Sequence, residues 1–280
     1  MNRRTYWHQS CKLYFIYKPM NKNYVLLFFA GALVTGCQKN DQLLSEDSSK
    51  ANFQKASYLD HKSNSEVTQC QITQISYTTN GMTDVLQFTY NSSGDPISIT
   101  RQNGASTGRP NYEFKYNSKN QLSDFIAPYS NGYAEFWHKY FYDNKGNIVM
   151  DSTYIFPKIS TGTPQNAYSS SLTYFIYDGA GRIIKDSTPS LNKVVTYDYD
   201  ANGNKVGTSY DNNVSVYRTD VVWMFLNKNY SVNNSLNTAN FNATGLPLSF
   251  TSSGESSFSF LGNDYTDVKF TYDCSGKANK

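Results

Sequence analysis

Seven segments of this chain obey one rule: an aromatic residue, then Asn or Asp, two free residues, and Gly or Asn. They begin at Tyr90, Tyr116, Tyr142, Tyr177, Tyr199, Phe241 and Tyr272. A type I turn favours Asp or Asn at its first corner and a residue that tolerates positive φ at its fourth. The copy at Tyr116 carries Asn120 where the others carry Gly, and Asn is the next best residue for a left-handed backbone. The rule therefore marks four-residue hairpin connections, repeated along the chain.

The flanking residues agree. Before the turns, apolar residues alternate as Leu86-x-Phe88-x-Tyr90, Tyr112-x-Phe114-x-Tyr116, Val195-x-Tyr197-x-Tyr199 and Val268-x-Phe270-x-Tyr272. Alternation with period two and many aromatics is the mark of a half-buried antiparallel strand. Return strands follow at Ile97-x-Ile99, Ile148-x-Met150 and Ile183, and weaker copies of the turn occur at Tyr77–Gly81 and Phe250–Gly254. Successive copies start 26, 26, 35, 22, 42 and 31 residues apart, too irregular for a strict solenoid. Residues 67–280 are expected to form an all-β domain, an open curved antiparallel meander of stacked β-hairpins. The motif tyrosines should form one row on its buried or semi-buried face.

The other end of the chain differs. Tyr24 to Val34 is an almost wholly apolar run, preceded by Lys18 and Lys22 and followed by Thr35-Gly36-Cys37. It is well short of the ~20 residues that span a bilayer and matches the core of a secretory signal. Its ending, Leu33-Val34-Thr35-Gly36-Cys37, resembles the lipobox of bacterial lipoproteins, which implies cleavage before Cys37 and lipidation there. Residues 1–36 are then a signal peptide, with Met20 a plausible start. Residues 37–66 form a lipidated, polar tether, with one short helix expected around Phe53, Ala56 and Leu59. The tetrapeptide Gln38-Lys39-Asn40-Asp41 resembles the export tag of Bacteroidetes surface lipoproteins.

Removing the leader reverses the charge. Five of the 25 basic residues (Arg3, Arg4, Lys12, Lys18, Lys22) and no acidic ones precede residue 38, leaving 20 basic against 22 acidic, a net of −2. That balance argues against a nucleic-acid partner, which needs a basic patch on the folded domain. Cys11 falls in the leader and Cys37 at the anchor, so Cys70 and Cys274 alone remain. An oxidising compartment permits them to pair, and two free thiols are the alternative.

Three copies continue past the turn as Tyr142-Asp143-Asn144-Lys145-Gly146-Asn147-Ile148, Tyr177-Asp178-Gly179-Ala180-Gly181-Arg182-Ile183 and Tyr199-Asp200-Ala201-Asn202-Gly203-Asn204. These resemble the YD repeats of Rhs proteins and teneurins, whose units read Tyr-Asp-x-x-Gly-Arg-Leu. In large relatives such hairpins coil into a shell around cargo. The resemblance implies a scaffold or glycan-contacting role, and supplies no catalytic residue to carry over. This chain has too few hairpins to close a shell.

Chemical motifs are sparse. Asp198 to Asn204 matches the opening of an EF-hand loop, with Gly203 sixth, but its twelfth position is Ser209 and strands flank it, so a plain turn is the better reading. No metal or other cofactor is expected. His138 reads as a strand-face histidine satisfied by a hydrogen bond, and no nucleophile elbow accompanies it. Glu113, Glu135 and Asp151 are the carboxylates from which a hydrolase pair would come. Asp151-Ser152-Thr153 and Asp186-Ser187-Thr188 resemble Bacteroidetes O-glycosylation acceptors at equivalent repeat positions. Tyr129, Tyr133, Trp137 and Trp223 are candidate stacking faces for a sugar or a partner protein. The run Val221-Val222-Trp223-Met224-Phe225-Leu226 reads better as a fully buried strand.

The expectation is a non-catalytic, lipid-anchored envelope or surface lipoprotein of the outer membrane that contacts glycan or protein. A purely structural envelope component is the alternative, with a carboxylate-based hydrolase behind it.

Overall fold

The computed structural model describes residues 70–79, 82–159, 162–235, 240–250 and 258–275. The signal peptide, Cys37, the tether with its short helix, Gly81 and the turn at Thr251–Gly254 lie outside these residues. Thirteen strands form one antiparallel sheet: β1 (Gln71–Thr79), β2 (Met82–Tyr90), β3 (Pro96–Arg101), β4 (Tyr112–Tyr116), β5 (Leu122–Pro128), β6 (Ala134–Tyr142), β7 (Ile148–Ile155), β8 (Ser169–Tyr177), β9 (Ile183–Thr188), β10 (Lys193–Thr196), β11 (Ser249–Phe250), β12 (Phe258–Phe260) and β13 (Asn263–Asp273). The first ten follow in chain order, each beside its predecessor, and β13 returns to pair with β1. The sheet is open, with β10 at one end of its order and β11 at the other. Two short helices interrupt the strands, α1 (Gly104–Thr107) and α2 (Val221–Leu226).

The turns explain the meander. Gly94, Gly146, Gly181, Gly203 and Gly245 all have φ between 77° and 86°, and Asn120 has φ 58°. In the third copy Asp143 Oδ1 accepts from the backbone N–H of Lys145 at 2.8 Å and of Asn147 at 2.9 Å, while the Gly146 N–H bonds to the Asp143 carbonyl. Asn91, Asn117, Asp178, Asp200 and Asn242 repeat the side-chain part of this pattern. Burial alone would raise the Asp143 carboxyl, but these hydrogen bonds outweigh it and hold the group below its ordinary range.

The motif tyrosines connect the hairpins. Tyr116 donates to the Pro96 carbonyl, Tyr142 to Leu122, Tyr177 to Ile148, Tyr199 to Ile183 and Tyr272 to Pro247, at 2.6–3.3 Å. Every acceptor lies six residues after the aromatic of the preceding copy, so each unit is tied to its neighbour by one hydroxyl. Tyr90 reaches Ile72 of β1 at 2.7 Å. Such a bond contributes about 1 kcal/mol net.

One face of the sheet carries the core, and the sheet curls around it. Phe114 of β4 and Phe260 of β12 both lie 5.4 Å from the Trp223 ring, although β13, β1, β2 and β3 separate their strands. On a flat sheet those strands would stand about 24 Å apart at ~4.8 Å per step. Asn263 Nδ2 of β13 also donates to the Tyr112 hydroxyl at 2.8 Å, across β1, β2 and β3.

The run Val221–Leu226, expected as a buried strand, is instead the helix inside this curl. Asp220 caps it, its side chain accepting from the Val222 N–H. Helical geometry turns Trp223 and Phe225 about 200° apart, so Trp223 meets Phe88, Phe114 and Phe260 while Phe225 meets Tyr140 and Phe175. A helix that is apolar all round is one surrounded by core. It ends in a Schellman motif: the Lys228 N–H bonds to Phe225 and the Asn229 N–H to Met224. Lys228, not Gly, holds the left-handed position at φ 48°. Its ammonium lies 3.0 Å from the buried Asp186, which also accepts from Tyr197 at 2.5 Å.

Cys70 and Cys274 form a disulfide beside the β1–β13 pair, joining residues 204 apart.

Candidate ligand-contact surface

The outer face changes character along the sheet. Over β2–β4 it carries Gln87, Thr89, Ser98, Thr100, Glu113 and Lys115, in register across the strands and partly bonded, as in the Thr89–Ser98 pair at 2.7 Å. Over β6–β10 the equivalent positions carry Phe141, Met150, Leu172, Tyr174, Ile176 and Val194, with Phe141, Met150 and Tyr174 in direct register. All but Met150 of these are 40–61% exposed. β8 is apolar on both faces, Phe175 inward and Leu172, Tyr174 and Ile176 outward, which a strand with one solvated face would not be.

A recess of about 250 Å³ opens on this face, lined by Ser152, Ser170, Ser171, Leu172, Tyr174, Pro189 and Ser190. It is smaller than the ~300–1,000 Å³ typical of small-molecule pockets. Hydroxyls around an aliphatic and an aromatic side chain suit a shallow contact within a broader interface. None of these outer residues was singled out from sequence as a contact. The continuous run Leu172-Thr173-Tyr174-Phe175-Ile176-Tyr177 was the available signal, because it leaves no polar face.

The sequence candidates fall beside this surface, and they do not form one platform. Tyr133 is 45% exposed. Tyr129, half-buried, donates to Glu135 Oε2 at 2.9 Å; burial first, and then Glu135, push its hydroxyl up to about 12. Trp137 is a correction: it is fully buried and offers no ring face to a ligand. It packs with Ile126, Ala134, Tyr154 and Ile159, donates Nε1–H to Asp124 at 2.7 Å, and lies under the ammoniums of Lys115 and Lys139. Burial would raise the Asp124 carboxyl, but bonds from Lys139, Ser123 and Trp137 override it and hold it low. Trp223 is likewise wholly interior.

The chemical motifs resolve individually. Glu113 sits on the outer face of β4, Glu135 bonds Tyr129, and Asp151 belongs to the inner face of β7, so these three carboxylates do not converge. His138 Nδ1 lies 2.8 Å from Asp151 Oδ2 and 2.9 Å from Thr153 Oγ1. Both partners address the same ring nitrogen, whereas a proton relay needs carboxylate and nucleophile on opposite nitrogens. Asp200 and Asn204 are occupied by turn and amide bonds, Asn204 with Asn233 at 2.9 Å. Among the described residues no cluster of three His, Cys, Asp or Glu side chains could hold a metal ion. Ser152 is buried in mid-strand at the floor of the recess, and Ser187 is half-buried in β9. No helix among the described residues is long and apolar enough to cross a membrane.

No protein-family model matches this chain, and no curated protein matches it in sequence.

Proposed function

We propose that this chain is a lipid-anchored envelope lipoprotein, built on YD-repeat-like hairpins, that binds glycan or protein without catalysis through the outer face of β6–β10. One observation carries the reading: five large apolar side chains stand exposed together on that face, beside a hydroxyl-lined recess, while the equivalent positions of β2–β4 are polar. Contiguous exposed apolar surface marks interaction sites. The apolar run before Cys37 and the polar stretch after it support the anchor.

The test compares residues 38–280 with the same fragment carrying Leu172→Ser, Tyr174→Ser and Ile176→Ser, both screened on a glycan array and against purified envelope proteins. Ligands that bind the first and not the second are expected. Uniform silence would favour the purely structural role. Replacing Cys37 with Ala should move the full chain from the membrane to the soluble fraction, together with loss of lipid mass from its first mature peptide.

A further inference from the structure

The inner face of β6–β8 holds a second arrangement that the outer surface does not explain. Four residues before Tyr90, Tyr116, Tyr142 and Tyr177, the chain places Leu86, Tyr112, His138 and Thr173 on the inner face. Leu86 and Tyr112 are buried, Tyr112 beneath Asn263 at the start of β13. Over β6–β8, Phe225 of α2 packs on the layer nearer the turns, where it meets Tyr140 and Phe175. Beyond it the His138 side chain keeps 23% exposure, and Phe136, Thr153, Ile155 and Ser171 are half-buried with Ser169 exposed.

Hydrogen bonding settles which nitrogen of His138 is left over. Thr153 donates its hydroxyl proton to Asp151 Oδ1 at 3.3 Å, so toward the imidazole its oxygen accepts. Asp151 Oδ2 also accepts. Nδ1 therefore carries a proton, shared between the two oxygens, and Nε2 is the ring nitrogen left to bond elsewhere. Nε2 has no protein partner among the described residues. The ring is held between others: parallel to Phe125 at 5.7 Å and to Tyr140 at 6.2 Å, with Phe136 edge-on at 4.9 Å. The imidazole is thus held in one orientation by an aromatic wall and a nearly buried carboxylate, with Nε2 on its partly exposed side.

We propose that this partly exposed inner-face position on β6–β8 is a subsite for one pyranose ring of a neutral glycan. A ring hydroxyl hydrogen-bonds with His138 Nε2, the apolar C–H face rests on Phe136, and the Ser169 hydroxyl addresses the rim. A neutral ligand fits better than an anionic one, because the formal charge touching His138 is the Asp151 carboxylate. The subsite is on the opposite face from the outer contact surface and stands or falls separately from it.

The test uses the full chain in a detergent without a sugar headgroup, with imidazole-15N-labelled histidine. Methyl α-mannoside, β-glucoside, β-galactoside and N-acetyl-β-glucosaminide are titrated to tens of millimolar. His138→Phe assigns the resonance. The Nε2 signal of His138 is expected to move saturably with at least one pyranoside. Phe136→Ser and His138→Phe should each weaken binding at least tenfold, measured by ligand saturation transfer, while Ile97→Ser on β3 leaves it unchanged. A His138 signal that stays still with all four sugars in the wild-type chain overturns the proposal. Undiminished binding in both folded variants overturns it as well.

Discussion

The strands from β13 through β1 to β5 and the strands from β6 to β10 use the same turn and the same tyrosine rung, yet they close differently. In the first group the inner face packs Phe88, Phe114 and Phe260 about Trp223 and also buries the Arg101–Asp84 ion pair. The outer face of β2–β4 carries mostly polar side chains. In the second the inner face admits Asp151, Thr173, Asp186 and Thr188, all buried, while Phe141, Leu172, Tyr174, Ile176 and Val194 look outward. A repeat that fixes the backbone leaves the faces free to diverge. One half has become a core and the other a surface that wants contact.

Raising the pH should erase the comparison. Burial raises the hydroxyl pKa of Tyr90, Tyr116, Tyr142, Tyr197, Tyr199, Tyr265 and Tyr272 above the ordinary value of 10, with further contributions such as Asp220 beside Tyr90. The folded chain thus holds these protons more tightly than the unfolded one. The stability they provide is intact below pH 10 and lost as pH rises beyond it. Circular dichroism should report cooperative unfolding of both groups together in mild alkali, and a fold unchanged at pH 11.5 would contradict the buried ladder.

Smaller perturbations should separate the two groups. Trp223→Ala removes the ring shared by β2, β4 and β12 and is expected to cost about 3–5 kcal/mol in denaturant titration. Reducing the Cys70–Cys274 bond should cost about 2–4 kcal/mol, and hydrogen exchange should locate the loss in β1 and β13 before β8 or β9. Gly146→Ala, at φ 86°, should cost about 1–2 kcal/mol. Tyr174→Ser should change stability by less than about 0.5 kcal/mol; a larger loss would mean that the outer face of β8 is structural after all.

Much of this architecture could be read directly from the chain. Asx and Gly at fixed offsets specify a reversal through local bonding alone, so the meander, its openness and the tyrosine row follow from Tyr90, Tyr116 and their counterparts. The helix at Val221–Leu226 did not. A continuous apolar run has the same appearance as a buried strand or an enclosed helix, and the Asp220 cap was the one local clue. Trp137 misled for a related reason. Whether an outward ring on a strand is bare depends on the distant Ile159 that covers it, and no periodicity reports that. The exposed row over β8 has no alternation to mark it, because Leu172, Tyr174 and Ile176 interleave with the inward Phe175 and Tyr177 in one apolar run.

The bond between Cys70 and Cys274 has a mechanical consequence. β1 and β13 are antiparallel neighbours whose outer ends, near Gln71 and Asp273, meet at that link. Tension applied to the backbone upstream of Cys70 would otherwise peel β1 away one rung at a time, the weakest direction in which to load a sheet. With the crosslink in place, the pull divides between two strands and cannot start an unzipping front. Whatever drags on this molecule from its amino-terminal side must rupture a covalent bond or shear many pairings at once.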